Sequence, residues 1–259
     1  MPVPAGYREQ SNPDRNSVEA VWTYLAREDI VHRVLPDGRC DVILRFEFDG
    51  GRPIGQIEPL IAGPATSYHL VPITRGVGYA GLRLRPGTAG AVLGVDLPSL
   101  ADRVFIGQDA IRIAPALASL CAPAQGVEIL TSRLVAFVAR RQKLDQGSDT
   151  FARSLALIDA LHTGGGRLSV SDLAKMHGID ERTVRRYIKM STGLAPKELS
   201  MVLQFHRALR LLRDVRLDPA SAAAEAGYAD QAHMTRVFRK LGGFTPAAMP
   251  EVTLANLPL

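Results

Sequence analysis

The chain has 259 residues and a mass of 28.0 kDa, enough for two ordinary domains, each with its own core. With 46% hydrophobic and 22% charged residues the composition is that of a soluble globular protein. No apolar run approaches the roughly 20 residues of a membrane-spanning helix, so no membrane partner is expected. The amino terminus, MPVPAGYREQSNPDRN, lacks the apolar core of a signal peptide, and the expected location is cytoplasmic. Cys40 and Cys121 are too few and too far apart for a disulfide framework or a CxxC metal site, and read as small buried hydrophobes. From Gly165 to Leu259 there are 14 Lys and Arg against 9 Asp and Glu, whereas residues 1–164 carry 17 of each. The whole excess of +5 thus sits in the carboxy-terminal third, which points to an anionic partner for that part, most simply double-stranded DNA.

The first half reads as short strands. Asp29–Leu35, Cys40–Phe48, Ser67–Ile73 and Gly78–Arg85 are rich in β-formers, and PDGR, DGGRP and RGVG separate them as turn signals. Regular short strands with such turns predict a sandwich or barrel. After Pro86 the pattern changes. GTAGAVLGV predicts a short helix, and Val127–Gln142 repeats apolar residues at three- and four-residue intervals, as an amphipathic helix does. Asp149–Thr163 continues in the same manner with Asp149 as N-cap, and Gly164–Gly166 ends it as a flexible joint. The expected domains are 1–147 and 148–259.

From Leu168 the pattern is helical throughout. Ser169, with Asp172 three residues on, forms a capping box for VSDLAKM; Gly178 stops that helix and Asp180 caps the next, ERTVRRYIKMS. A helix, a short glycine turn and a second helix make a helix-turn-helix. Pro196 starts a long helix whose Leu199, Leu203, Phe205, Ala208, Leu211 and Leu212 can face two neighbours, as a rigid spacer would. A second unit follows at an offset of 49 residues before the turn (Ala174 with Ala223, Gly178 with Gly227) and 50 after it (Arg186 with Arg236, Gly193 with Gly243, Pro196 with Pro246).

The segment GYADQAHMTRVFRKLGGFTP, Gly227–Pro246, with LAKMHGID, VRRYIK and GLAPKEL in the first unit, resembles the double helix-turn-helix domain of AraC/XylS-type transcriptional regulators over about Leu168–Met249. In the first unit Val184, Tyr187 and Ile188 form an apolar stripe, leaving Arg182, Arg185, Arg186 and Lys189 on the outer side. Arginine there can bond bidentately to guanine or clamp phosphate, with Arg182 and Arg185 the expected base readers and Arg186 either a groove residue or a structural pair. In the second unit Asp230 is a cap, and Gln231, Ala232, His233 and Arg236 fall where the resembled family faces DNA. Gln can read adenine and Ala a thymine methyl. Gln204, Ala232 and Met249–Pro250 depart from the family's usual arginine, serine and aromatic-arginine pair. If the spacer separates the units by roughly 34 Å, both can enter successive major grooves, and a monomer can read a bipartite site.

VLPDGRCDVILRF, GPATSYHLV and GLRLRPGTAGAVLGV are similar to the sensor part of one subset of AraC-type regulators. The resemblance implies a cupin-like amino-terminal domain that senses a small molecule or dimerises, and implies RNA polymerase as a partner. The expected fold is therefore α+β, a β-rich cupin-like domain with flanking helices followed by an all-α domain. Arg83 and Arg85, two apart on a strand, are candidates for an anionic ligand, with surface charge as the competing reading. His32 and His69 lack the clustered metal-site spacing and read as structural, so neither metal nor cofactor is expected. No nucleophile elbow, P-loop, HExxH or dinucleotide fingerprint is present, and no catalytic residue is assigned. A methyl-accepting repair protein would need more clustered cysteines. An architectural DNA binder without effector, or a cupin-like enzyme fused to a DNA-binding domain, are the alternatives.

Overall fold

The computed structural model describes residues 6–11, 17–142 and 149–250. Eight strands form the first half: β1 (Tyr7–Ser11), β2 (Val18–Leu25), β3 (Ile30–Val34), β4 (Cys40–Asp49), β5 (Arg52–Ala62), β6 (His69–Ile73), β7 (Val77–Leu84) and β8 (Val104–Ile106). Six of them make one antiparallel sheet in the order β1-β2-β7-β4-β5-β8, and β3 and β6 make a second, two-stranded sheet. β4 and β5 join through Gly50 and Gly51, with Asp49 paired to Arg52, as the DGG turn signal implies.

Two-residue alternation divides the large sheet into two faces. On β4 Val42, Leu44 and Phe46 are buried in one core, together with Ala80, Leu82 and Leu84 of β7. α1 (Ala89–Leu93), α2 (Gln108–Ile113) and α3 (Val127–Gln142) supply the rest of that core, with α3 contributing Leu130, Leu134, Phe137 and Val138. The intervening residues Asp41, Ile43 and Tyr79 line a cavity on the opposite face, beside Trp22 and Tyr24 of β2 and Val71 and Ile73 of β6. The domain is thus α+β, with helices on one face of the sheet and a hollow on the other.

The second half is helical: α4 (Asp149–Thr163), α5 (Val170–His177), α6 (Glu181–Thr192), α7 (Pro196–Arg213), α8 (Pro219–Ala226) and α9 (Gln231–Gly242). The boundary expected between residues 147 and 148 lies outside the described residues; Asp149 is in the first turn of α4, paired with Arg153 at 2.9 Å. α7 serves two cores with different faces. Leu199 and Leu203 pack with α4, α5 and α6, while Phe205, Ala208 and Leu209 pack with α8 and α9. This is the spacer arrangement that its apolar pattern predicts.

The glycine run after α4 differs from the flexible joint expected of it. A side chain on Gly166, whose φ is +75°, would lie 2.4 Å from the Ser200 carbonyl oxygen, and the Gly166 carbonyl accepts from Gln204 Nε2 at 3.2 Å. The run itself lies close against α7, and Gln204 fastens it there instead of reaching outward.

Candidate nucleic-acid interface and the cavity beside it

Each unit fixes its second helix by the same local chemistry. Ser169 and Asp172 form a reciprocal capping box at α5, Asp180 accepts from the Thr183 amide at 2.9 Å to start α6, and Asp230 accepts from the His233 amide at 2.6 Å to start α9. Hydrogen bonds from Ser169 and Thr183 hold the carboxyls of Asp172 and Asp180 below their usual values. α5 and α8 both end at left-handed glycines, Gly178 and Gly227.

The caps set which side of each helix is buried. In α6, Val184 and Ile188 are fully buried and Tyr187 is half-buried, leaving Arg182, Arg185, Arg186 and Lys189 exposed. Arg185 reaches back one turn to Glu181 at 2.7 Å, and the Arg186 guanidinium lies 5.3 Å from the Tyr187 ring centre. Among the described residues Arg182 and Lys189 make no ion pair. In α9, Met234, Val237 and Phe238 are buried, and Gln231, Ala232 and Arg236 are exposed. His233 is half-buried, its ring edge-on to Tyr228 at 5.3 Å. Arg239 and Lys240 are also exposed on α9 and extend its basic side beyond the residues singled out from sequence; the i, i+3, i+4 spacing from Arg236 was the signal for them. Both second helices are thus apolar inside and basic outside, the charge pattern that a helix entering a DNA groove requires.

Arg83 and Arg85 are not brought together. Arg83 is 1% exposed on β7, with Nη1 3.2 Å from Glu9 and Nε 3.8 and 3.9 Å from Asp37 and Asp41. Arg85 lies past the end of β7 and reaches Asp159 of α4 at 2.7 Å. Both guanidiniums are engaged by carboxylates, and neither lines the cavity.

That cavity, about 220 Å³, lies between the two sheets. Trp22, Tyr24, Tyr79, Ile43, Leu60 and Val71 give it a largely apolar wall, interrupted by Asp37, Arg39 and Asp41. His32 and His69 are also in its wall; burial pushes the His32 imidazole down. Among the described residues no group of three or more His, Cys, Asp or Glu is placed to hold a metal ion. Asp41 accepts from Trp22 Nε1 at 3.1 Å, and burial, with Asp37 adding and Arg83 opposing, pushes its carboxyl up to about 7. Cys40, next to it, is buried, which pushes its thiol up; Cys121 is half-buried.

One segment serves the cavity and the helical half together. Leu35 and Pro36 line the cavity, yet Leu35 is buried in the core of α7, α8 and α9, and the Pro36 carbonyl accepts from His206 Nε2 of α7 at 2.6 Å. Since a carbonyl only accepts, Nε2 carries the proton; Nδ1 is buried without a hydrogen bond among the described residues. Arg33 of β3 donates to the Gly242 carbonyl at the end of α9 at 2.7 Å and lies 4.6 Å from the Tyr68 ring centre. The β-rich half therefore grips α7 and the far end of α9.

A model of a helix-turn-helix domain matches residues 173–251, and one described as a domain of unknown function, DUF6597, matches residues 15–105. The HTH-type transcriptional activator RhaS of Escherichia fergusonii is 29% identical over 131 residues, 50% of this chain; the chain spans about half, 47%, of that relative. Among solved structures, the DNA-binding domain of AdpA in complex with a target DNA covers 37% of the chain at 22% identity, with a TM-score of 0.35. ToxT from Vibrio cholerae covers 93% at 9% identity, with a TM-score of 0.42. These overlaps are weak, and the assignment rests on the sequence matches and the repeat. The helix-turn-helix match coincides with both capped units and the helix they share, so this part of the chain is a helix-turn-helix domain built of two units, similar to that of AraC/XylS-type regulators.

Proposed function

We propose that the chain is a sequence-specific DNA-binding transcription regulator whose amino-terminal domain modulates the DNA-binding half. The observation that carries this reading is the duplication: two capped helices, α6 and α9, each buried on one side and basic on the other, held by one continuous helix. A single unit makes a docking element; two on one spacer make a reader of two adjacent half-sites. Arg182 and Arg185 are the proposed base readers of the first unit, with Arg186 and Lys189 on phosphate. Gln231, Ala232, His233 and Arg236 are the proposed contacts of the second. Arg185 is held by Glu181 in the absence of DNA, so its recruitment to guanine exchanges one exposed ion pair for a bidentate contact.

The proposed domain boundary is at 147–148, ahead of α4; that α4 shares the core of α5 and α6 supports it. A small-molecule effector fits the cavity, and the segment Val34–Arg39 is the proposed path from it to α7. RNA polymerase as partner, a homodimer and a cytoplasmic location are the corresponding proposals for the cell. No helix among the described residues is long and apolar enough to cross a membrane.

The reading is tested by fluorescence anisotropy of the full chain with labelled duplexes at several salt concentrations. Affinity for a selected duplex exceeding that for random duplex by about a thousand-fold or more, with both falling as salt rises, is the expected result. Equal affinity for all duplexes would refute sequence-specific regulation.

A further inference from the structure

The cavity between the two sheets has a polar end whose charges do not balance. Three carboxylates, Glu9, Glu19 and Asp37, and the Asp41 carboxyl, which burial pushes up to about 7, surround two guanidiniums, Arg39 and Arg83. Arg39 is spent on Glu19 at 2.6 Å and the Asp37 carbonyl at 2.8 Å, and Arg83 donates to Glu9 at 3.2 Å. Its Nε, at 3.8 Å from Asp37 Oδ2 and 3.9 Å from Asp41 Oδ1, is too far to satisfy either, and is itself unbonded. Asp37 Oδ2 and Asp41 Oδ1, the oxygens on the Arg83 side, thus have no hydrogen bond among the described residues, and both residues line the cavity.

The remaining walls favour the same kind of occupant. Tyr7, Trp22, Tyr24 and Tyr79 all line the cavity, and aromatic faces attract cations and exclude anions. The one other cation in the wall, Arg103, is exposed at the rim and stacked on Phe105 at 4.8 Å, so solvent screens it from the interior. A volume of about 220 Å³ falls below the roughly 300–1,000 Å³ of pockets that take drug-sized molecules, so the occupant is small.

We propose that this cavity is a binding site for a small, largely apolar molecule carrying a single positive charge, such as an arylalkylamine, with Asp41 and Asp37 receiving the ammonium group and the aromatic wall receiving the body. This deepens the regulator reading, in which the same cavity holds the effector. It also reverses the charge expected of a ligand held by Arg83 and Arg85: those guanidiniums are neutralised from within the fold, and the surplus is negative.

Trp22, the one tryptophan of the chain, lines the cavity and bonds Asp41, so its emission reports occupancy directly. The full chain, without DNA, is titrated with 2-phenylethylamine, with the anion phenylacetate and with the neutral 2-phenylethanol. A saturable change with the amine, at least roughly tenfold tighter than with either of the others, is the expected result. Asp41→Asn, which keeps an acceptor for Trp22, is expected to abolish the preference for the amine; Val71→Phe, which fills the cavity and leaves the carboxylates intact, is expected to abolish the response to all three. Phenylacetate or the alcohol binding as tightly as the amine, no saturable response to the amine up to about 10 mM, or a response unaffected by Val71→Phe would overturn the proposal. DNA binding of the same sample, measured separately, distinguishes failure of this site from failure of the regulator reading.

Discussion

Phe205→Ala cuts the one helix on which both DNA-binding units depend. Phe205 is fully buried on α7, edge-on to Phe238 at 4.8 Å and 6.3 Å from Phe244, so truncation removes a ring and the partners of two others. Buried Phe→Ala substitutions cost about 3–5 kcal/mol, which includes the roughly 0.5–1.5 kcal/mol of an aromatic pair. With three rings meeting at this point, and α8 and α9 both anchored to α7 there, a value of about 4 kcal/mol is expected. Hydrogen exchange of the full chain followed by mass spectrometry reads this locally, without assuming that the chain unfolds in one step. Amides of α8 and α9 should exchange roughly a thousand-fold faster, the kinetic equivalent of about 4 kcal/mol, whereas those of α5 and α6, keyed to α7 through Leu199 and Leu203, should change by less than about tenfold. A change under about tenfold in α9, or an equal change in all four helices, would refute the division of α7 between two cores.

Arg185→Ala should cost about 1–3 kcal/mol in affinity for the selected duplex and little for random duplex, by anisotropy; equal losses would remove it as a base reader. Gly166→Ala places a methyl group 2.4 Å from the Ser200 carbonyl at a φ of +75°, so the thermal midpoint should fall, and an unchanged midpoint would contradict the close approach of the glycine run to α7. Burial holds His162 down at about 4, against an unfolded value of about 6.5, so its neutral form stabilises the fold above pH 6.5 and that contribution is lost as pH falls from about 6.5 to 4. His162→Gln should remove this part of the acid sensitivity, read as thermal midpoint against pH in the two proteins. Arg33→Ala removes a charged hydrogen bond to the end of α9 and a stacking contact on Tyr68, and should speed protease cleavage between the halves without unfolding either; unchanged cleavage would make that contact dispensable.

How much of this was legible depends on how local the determinants are. The helical half is governed by short-range chemistry: Ser169, Asp180 and Asp230 cap where their spacing says they should, and Val184, Ile188, Met234 and Phe238 fall on the buried side by helical period. Four strands were readable from β-branched runs with turns beside them, but β1, β2, β5 and β8 were not. β5 carries Pro53, Gly55 and Pro59, and β8 has three residues, so their strand character comes from pairing with β4 and with each other. The surroundings of Arg83 were out of reach for the same reason. Read alone, Arg83 left an anionic ligand and surface charge both open, yet it is buried among Glu9, Asp37 and Asp41, brought from 74, 46 and 42 residues away. The seam made by Arg33, Leu35 and Pro36 on α7 and α9 likewise leaves no mark in local pattern, because its partners lie about 170 or more residues along the chain.

The most direct test of the central claim is selection of bound fragments from sheared genomic DNA by the purified full chain, with sequencing of what is retained. Two short conserved elements whose centres lie about 10 base pairs apart, on one face of the duplex and without palindromic symmetry, are the expected result for two units on one spacer. Retention of fragments with no common sequence would contradict sequence-specific reading and make the protein an architectural DNA binder.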